Sequence, residues 1–482
     1  MNTTLWTGLA LISHLQARIS GAVPGGVTGV SIDTRTLEPG DLFFAIVGDS
    51  NDGHDYVAKA FEAGAAAAVI DEAHADALRG LPALYVVRDT LKAMESLGRA
   101  ARARSGARII AVTGSAGKTS TKEALRAVLS KSGETHASAA SYNNHWGVPL
   151  TLARMPVSAQ FGVFEIGMNH PGEITPLVGM VRPHVAIVTT VAPVHLAAFA
   201  SVDEIADAKA EIFSGLEPHG IAIINRDVAQ YDRMRAIARE SSASHLLSFG
   251  ENDDSDARLL SIEPEADGSI VEASVLDTQL RYRIGAPGKH MALNSLAVLL
   301  AARAVGVELP DAARALSGFT PPSGRGSRIE LPAEGGKITV IDESYNANPA
   351  SMRAALALLG FAKPGESGRR IAVLGDMLEL GASENELHAG LAPDVAANGI
   401  DMVFAAGPLM KNLYDALDPS SRALWKPKSA DIREDLLSAV RAGDIVMIKG
   451  SNGSRMSPLV KALQDHFTQP DAPARGDEDR NP

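Results

Sequence analysis

Short apolar runs alternate with longer mixed stretches along most of the chain. Runs of strand length lie at 109–112, 163–166, 185–191 and 221–224, separated by segments long enough for a helix. That rhythm predicts a parallel sheet with crossover helices. At 241–283 the pattern turns polar and β-like, which predicts an antiparallel edge, and HMALNSLAVLLAARAVG then predicts a well-buried helix. After Thr320 the rhythm restarts, with runs at 338–341, 371–374, 403–406 and 445–448. This predicts a second open α/β sheet, with ligand loops after the carboxyl ends of its strands. The first hundred residues are less regular. Pro39-Gly40 marks a turn before a strand at 42–47, a helix ends at 61–67 and a strand follows at 68–70. A helix at 90–104 with alternating Arg and Ala reads as a connector.

The segment TPPSGRGSR, 320–328, has two prolines, two glycines and three hydroxyls and reads as an interdomain linker. A chain of 482 residues suits roughly three domains. The expected organisation is α/β throughout: a small α/β domain at 1–103, a central parallel-sheet domain at 104–320 and a Rossmann-like domain at 321–468. The tail 469–482, QPDAPARGDEDRNP, is too polar and proline-rich to pack and is expected to be disordered.

Composition narrows the function classes. Net charge is -12 with no extended Lys/Arg tract, which argues against a nucleic-acid partner. There is no cysteine, so disulfides, thiolate metal sites and cysteine catalysis are excluded. The start, MNTTLWTGLALISHL, lacks a cationic front, and no apolar run approaches the ~20 residues of a membrane span. A cytoplasmic protein without membrane insertion is expected.

The chemistry concentrates in RIIAVTGSAGKTSTKEALRAVL, 108–129. A buried strand runs into a glycine turn, and a helical pattern follows. Gly114 and Gly117 permit a tight turn with bare N–H groups, and the helix from Lys118 turns its positive dipole end to that turn. Lys118 adds a mobile cation, and Thr119 a hydroxyl suited to Mg²⁺. The spacing G-x-x-G-K-T is shorter than the common phosphate loop, but the strand before and the helix after are what phosphate binding requires. A phosphate loop serves kinases, motors, switches and ligases alike. Glu165 ends the strand of FGVFEIGMNHPGEI, placed either to hold Mg²⁺ or to form an ion pair. His195 follows VAIVTTVAPVHL in the same manner, where a structural histidine is the commoner outcome. Lys209, in DEIADAKAEIF, reads locally as a helix-surface lysine among acids.

Several segments together change that picture. TGSAGKTSTKE, NNHWGVPLTL, EIGMNHPGEI, APVHL, AKAEIF, GKHMALNSLAV, GRGSR, DESYNANPASM, LGDMLELG and KGSNGSRM closely resemble the Mur ligases of bacterial cell-wall synthesis, as does SIDTRTLEPGDLFFAIVGDSNDGHDY near the start. The resemblance spans about 28–465. SYNANPASM with LGDMLELG is similar to the branch that adds D-alanyl-D-alanine to UDP-N-acetylmuramoyl-tripeptide.

The resemblance implies a UDP-substrate domain, a central ATPase domain and a C-terminal ligase domain, with ATP and Mg²⁺ used to form an acyl phosphate that an amine displaces. It implies ATP contacts from Gly114, Ser115, Ala116, Gly117, Lys118, Thr119 and Ser120, and from His290, Asn294, Arg325, Asp342 and Asn346, with Asn294 and His290 near the adenine and Asp342 on the ribose. Asn348 is expected beside Asn346 in the same cleft. Thr119 and Glu165 would hold one Mg²⁺; His195 and a carbamylated Lys209 would hold a second. Ser31, Asp33, Arg35 and Phe43 would grip the UDP moiety, and Asn143 and Asn144 the UDP-substrate or nucleotide. A monomer is expected. Two other readings remain open at this level: a sister ligase adding diaminopimelate, lysine or glutamate, and a nucleotide-dependent switch without amide synthesis.

Overall fold

The computed structural model of the chain describes residues 3–48, 51–139, 141–193, 198–265 and 267–468. The tail expected to be disordered, 469–482, lies outside the described residues. Among the described residues no helix is long and apolar enough to cross a membrane.

The first sheet has five strands in the order Arg18–Gly21, Ala83–Val87, Ala67–Asp71, Asp41–Phe44, Gly29–Ser31, antiparallel only at the first pair. Its core does not close on itself. Leu150 and Ala153 of the helix Gly147–Ala153 complete it, and the Trp6 indole donates to the Ala153 carbonyl at 2.9 Å. The helix Thr90–Arg104 starts where Asp89 accepts from the Lys92 amide at 2.9 Å, an N-cap that satisfies one of its orphan donors. Its alternating arginines turn out to be joints. Arg104 lies over the Trp6 ring at 3.3 Å. Arg102 is buried and donates to the carbonyls of Val181 and Arg182 at 2.8 Å each, taking up the open end of the helix Ile174–Val181.

The central sheet has nine strands, with Arg108–Thr113 between Val185–Val188 and Phe161–Glu165. One face packs on Lys118–Leu129, Lys289–Ala304 and Leu309–Leu316. The other packs on Ile174–Val181, Val202–Ala210 and Tyr231–Arg239. Both faces are covered, so the inner strands read as continuous apolar runs. Two expectations are corrected here. The strand expected to run to 191 ends at Val188, because Thr189 and Thr190 leave the sheet to brace the glycine loop. The polar segment at 241–283 is not antiparallel throughout: Ala243–Gly250 pairs parallel to Gly220–Asn225, and antiparallel pairing begins only with Ala257–Pro264.

The third sheet has six strands in the order Ser327–Ala333, Gly336–Glu343, Ile445–Lys449, Arg370–Gly375, Met402–Ala406, Arg422–Lys426. The first is antiparallel and starts inside the expected linker. Its alternating exposure marks an edge strand buried on one face only, hard to separate from loop by composition.

Candidate active site

Open parallel sheets bind ligands where neighbouring strands send their helices to opposite faces. Arg108–Thr113 is such a place. Its helix Lys118–Leu129 packs on one face, while the helices following Phe161–Glu165 and Val185–Val188 pack on the other. The glycine loop sits at its carboxyl end. Gly114 and Gly117 have φ of 147° and 80°, conformations costly for other residues. A Cβ at Gly114 would run into the Thr189 hydroxyl, and one at Gly117 would lie 2.6 Å from Asn294 Nδ2. The loop is tied down from the next strand: Ser115 Oγ donates to the Ala192 carbonyl (3.1 Å) and accepts from the Ala192 amide (2.9 Å), and Thr189 Oγ1 donates to the Ala116 carbonyl (2.6 Å).

Lys118 Nζ folds back onto the Gly114 carbonyl at 2.8 Å, a bond that a phosphate oxygen can replace. Burial pulls its pKa below the ordinary value; the Glu165 carboxylate opposes this and the Arg325 guanidinium adds to it. Glu165 is fully buried, held on both oxygens: Oε2 accepts from Thr119 Oγ1 and Oε1 from Asn143 Nδ2, each at 2.7 Å. Lys209 is buried, contrary to the local reading of a surface lysine: the 3.6-residue periodicity of Val202–Ala210 turns it inward while Asp203 and Asp207 face Arg233 outside. Among the described residues its amine has no hydrogen bond or ion pair. Burial holds it well below the ordinary lysine pKa, and the charge of Lys118 pushes the same way. His195 lies outside the described residues.

A cleft of about 450 Å³ opens here, between the glycine loop and the third sheet. Ser115, Ala116, Gly117, Lys118 and Ser120 line it with Asn143 and Glu165; His290 and Asn294 come from the helix Lys289–Ala304, and Arg325, Asn346 and Asn348 from the far side. Arg325 Nη2 donates to Ser141 Oγ at 3.3 Å, and its guanidinium lies 4.2 Å from the Tyr345 ring centre, so one residue of the linker touches both walls. Asn348 also caps the helix Pro349–Phe361, accepting from the Ser351 amide at 2.9 Å.

The far wall repeats the topology of the near one. Gly336–Glu343 and Ile445–Lys449 are neighbours whose helices, Pro349–Phe361 and Ser457–Thr468, pack on opposite faces. At their carboxyl ends Lys449 Nζ donates to Glu343 Oε2 (3.1 Å) and to the Asn346 carbonyl (3.0 Å). Sequence reasoning did not single out Glu343, Tyr345, Lys449 or Asn225, all of which line the cleft. A lysine ending the buried run 445–448 was the available signal for Lys449.

Of the expected ATP contacts, Gly114, Thr119 and Asp342 are absent from the cleft lining, and Phe43 and Asn144 are engaged within the fold. Asp342 is buried and does not line the cleft. Its Oδ2 accepts from Ser323 Oγ (2.9 Å) and the Gly324 amide (2.7 Å), and its Oδ1 from the Ser344 amide and hydroxyl (3.2 and 2.6 Å), so it anchors the linker. Phe43 is 1 % exposed, packed with Ala45, Val57 and Ala60, because strand alternation points it into a core. Asn144 lies outside the cleft lining and accepts from the Gly147 amide at 2.9 Å, at the entry of a helix. In the first domain Ser31 and Asp33 form a local turn, with Ser31 Oγ accepting from the Asp33 amide at 3.3 Å. The Arg35 guanidinium is 83 % exposed, and its hydrogen bonds to Asp33 hold that carboxyl below the usual range.

Comparison with known proteins matches this layout. Three family models fall in order along the chain: Mur ligase family, catalytic domain, at 26–125; Mur ligase middle domain at 112–302; and Mur ligase, glutamate ligase domain, at 327–452. The UDP-N-acetylmuramoyl-tripeptide–D-alanyl-D-alanine ligase of Escherichia coli is 34% identical over 95% of this chain and 99% of the relative. The ligase of the same name from Rickettsia prowazekii is 30% identical over 95% and 100%. A crystal structure of MurF from Acinetobacter baumannii superposes with a TM-score of 0.82 at 28% identity, covering 96% of this chain and all of that one. With relatives this similar aligned along nearly its whole length, the chain belongs to the Mur ligase family.

Proposed function

We propose that this chain is an ATP-dependent, ADP-forming ligase that adds D-alanyl-D-alanine to UDP-N-acetylmuramoyl-tripeptide in the cytoplasmic stage of peptidoglycan synthesis. The observation that carries the chemistry is a single crevice in which a glycine loop at a helix N-terminus, Lys118 and Glu165, itself held by the Thr119 hydroxyl, face Arg325 across a cleft. The acceptor rests on the relatives from Escherichia coli and Rickettsia prowazekii, whose names specify it.

A carboxylate is a poor acyl donor because its leaving group would be oxide. In the first step an oxygen of the tripeptide's terminal carboxylate attacks the γ-phosphorus of ATP. The bond to the bridging oxygen breaks, and ADP leaves with that electron pair. In the second step the neutral amine of the dipeptide attacks the acyl carbon. The tetrahedral adduct expels inorganic phosphate, and the nitrogen loses a proton to solvent. Bringing a carboxylate to a triphosphate opposes like charges, so preorganised positive groups are the main catalytic need. Lys118, Arg325 and the N–H groups at the start of Lys118–Leu129 supply them. Asn294 and His290 border the loop where the nucleotide base would lie.

The oxygen donors of Thr119 and Glu165 fit Mg²⁺, which when bound supplies charge neutralisation at the phosphates. A buried amine at Lys209, without a partner among the described residues and with its pKa lowered by burial, fits carbamylation. Its nitrogen adds to carbon dioxide and loses a proton, and the resulting anion with His195 would offer ligands for a second ion. Arg35, exposed beside the Ser31–Asp33 turn, would meet the diphosphate of the UDP-substrate. That grip lies on a different sheet from the chemistry and uses remote binding energy to position the reacting carboxylate.

Heavy oxygen placed in the tripeptide's terminal carboxylate must appear in the released phosphate; label retained wholly in the peptide would sink the acyl-phosphate route. Phosphate release should require D-alanyl-D-alanine and not respond to single amino acids or glutamate, which separates this ligase from its sisters and from a switch.

A further inference from the structure

A second interdomain cleft opens at the opposite end of Gly336–Glu343, with a volume of about 930 Å³, within the range of small-molecule sites. Its walls carry an apolar strip, with Ile262, Pro264 and Pro287 on the central domain and Leu358 and Phe361 on the C-terminal one. Phe361, the last residue of Pro349–Phe361, is 70% exposed. Most of the charges are already spoken for: Glu265 pairs with Arg283 (2.8 Å), Glu330 with Lys337 (2.7 Å) and Lys289 with Glu251 (2.7 Å). Arg328 differs. Its Nε is buried without a hydrogen-bond partner, and among the described residues no carboxylate comes within ion-pair distance of its guanidinium, Glu330 and Asp267 acting on it only from farther away. A half-buried cation without a hydrogen bond or close ion pair, in the same cleft as an exposed aromatic ring, is an arrangement that a ligand with an apolar body and one negative charge would relieve.

The two clefts also share their hinge. The helix Lys289–Ala304 gives Lys289 to this cleft and His290 to the nucleotide cleft; the linker and the strand after it give Arg328 here and Arg325 there. We infer that the second cleft is a regulatory site for a small amphiphilic monoanion, an apolar ring system bearing one carboxylate or sulfonate, and that its occupancy is coupled to nucleotide binding. The coupling rests on the nucleotide reading above, and by linkage it is reciprocal.

The test is fluorescence titration of the full chain with anilinonaphthalene sulfonate, a dye of this class. One saturable site is expected, weakened about tenfold or more in both Arg328→Gln and Phe361→Ser while their thermal melts match the parent. Saturating ADP should shift dye affinity by about fivefold or more, and dye should shift ADP affinity by the same factor. Dye binding indifferent to both substitutions overturns the site, and dye binding indifferent to bound ADP overturns the coupling. Calorimetry with ADP alone keeps the two readings apart: no ADP binding condemns the nucleotide cleft, whereas the two substitutions judge only the second one.

Discussion

The Thr119 hydroxyl donates to the Glu165 carboxylate across 2.7 Å, joining the first turn of the helix after the glycine loop to the end of the neighbouring strand. The same carboxylate is oriented from its other side by Asn143. Replacing it by an amide keeps the shape and removes the charge. Glu165→Gln should therefore lower kcat roughly a hundredfold or more, the scale for one preorganised electrostatic group. The Mg²⁺ concentration for half-maximal rate should rise, with UDP-substrate affinity nearly unchanged. A normal kcat at saturating Mg²⁺ would remove Glu165 from the metal role.

Among the described residues Lys209 is buried without an anionic partner, and burial holds its pKa well below the ordinary lysine value, which favours the neutral amine that reacts with carbon dioxide. Lys209→Ala should be nearly inactive and regain part of its rate with added short-chain carboxylates. In the parent, carbon-13 bicarbonate should give a carbamate carbonyl resonance that the variant lacks. Full activity in bicarbonate-free buffer, with no such resonance, counts against the modification.

Asp342 gathers four donors from Ser323, Gly324 and Ser344 and so holds the linker to the C-terminal sheet. Asp342→Ala leaves buried donors unsatisfied, at about 1–3 kcal/mol. Amide exchange at Gly324 should quicken about tenfold or more, and the KM for ATP should rise because Arg325 loses its mooring. Parent-like exchange at Gly324 would show that the linker is held by something else.

In the first domain His54 and His74 stack at 3.9 Å between Asp52 and Asp71. Asp52 Oδ1 lies 2.6 Å from His54 Nδ1, and His54 Nε2 accepts from the Asp71 amide at 3.1 Å, so both ring nitrogens are engaged within the protein. The hydrogen bond to Asp71 raises the His74 pKa, against a smaller opposing effect of burial. A raised folded-state pKa contributes stability that is fully present below the unfolded histidine value of about 6.5 and is lost as pH rises through the folded value. The difference in thermal midpoint between the parent and His74→Gln should therefore be larger in mildly acidic buffer than in mildly alkaline buffer. A gap that does not change with pH would dismiss the contribution.

The legible parts of this molecule are those whose cause is local. The glycine loop, its strand and its helix lie within 108–129, and the turn geometry selects Gly114 and Gly117 from within that segment. The helix Thr90–Arg104 was readable from its arginine-alanine pattern for the same reason. Positions whose surroundings depend on distant partners were not legible locally. The family resemblance implies ligand contacts for Asp342 and Phe43, but nothing local shows that Ser323 and Gly324 fold back onto the first or that the helix Val57–Glu62 covers the second. Lys209, among acidic neighbours, looks solvated until the helix phase buries it. Glu343 and Lys449 are 106 positions apart and meet only because their strands are adjacent.

The sequence alone determined the α/β class, the alternation of strand and helix, and a tight glycine turn between a buried strand and a helix N-terminus, because periodicity and turn chemistry act within a few residues. Only the tertiary structure decided which charges are buried, which carboxylate anchors and which one faces the cleft, and that a linker arginine bridges two domains. Those outcomes depend on strand order and on which surfaces are excluded from water, and both are set by contacts between segments far apart along the chain.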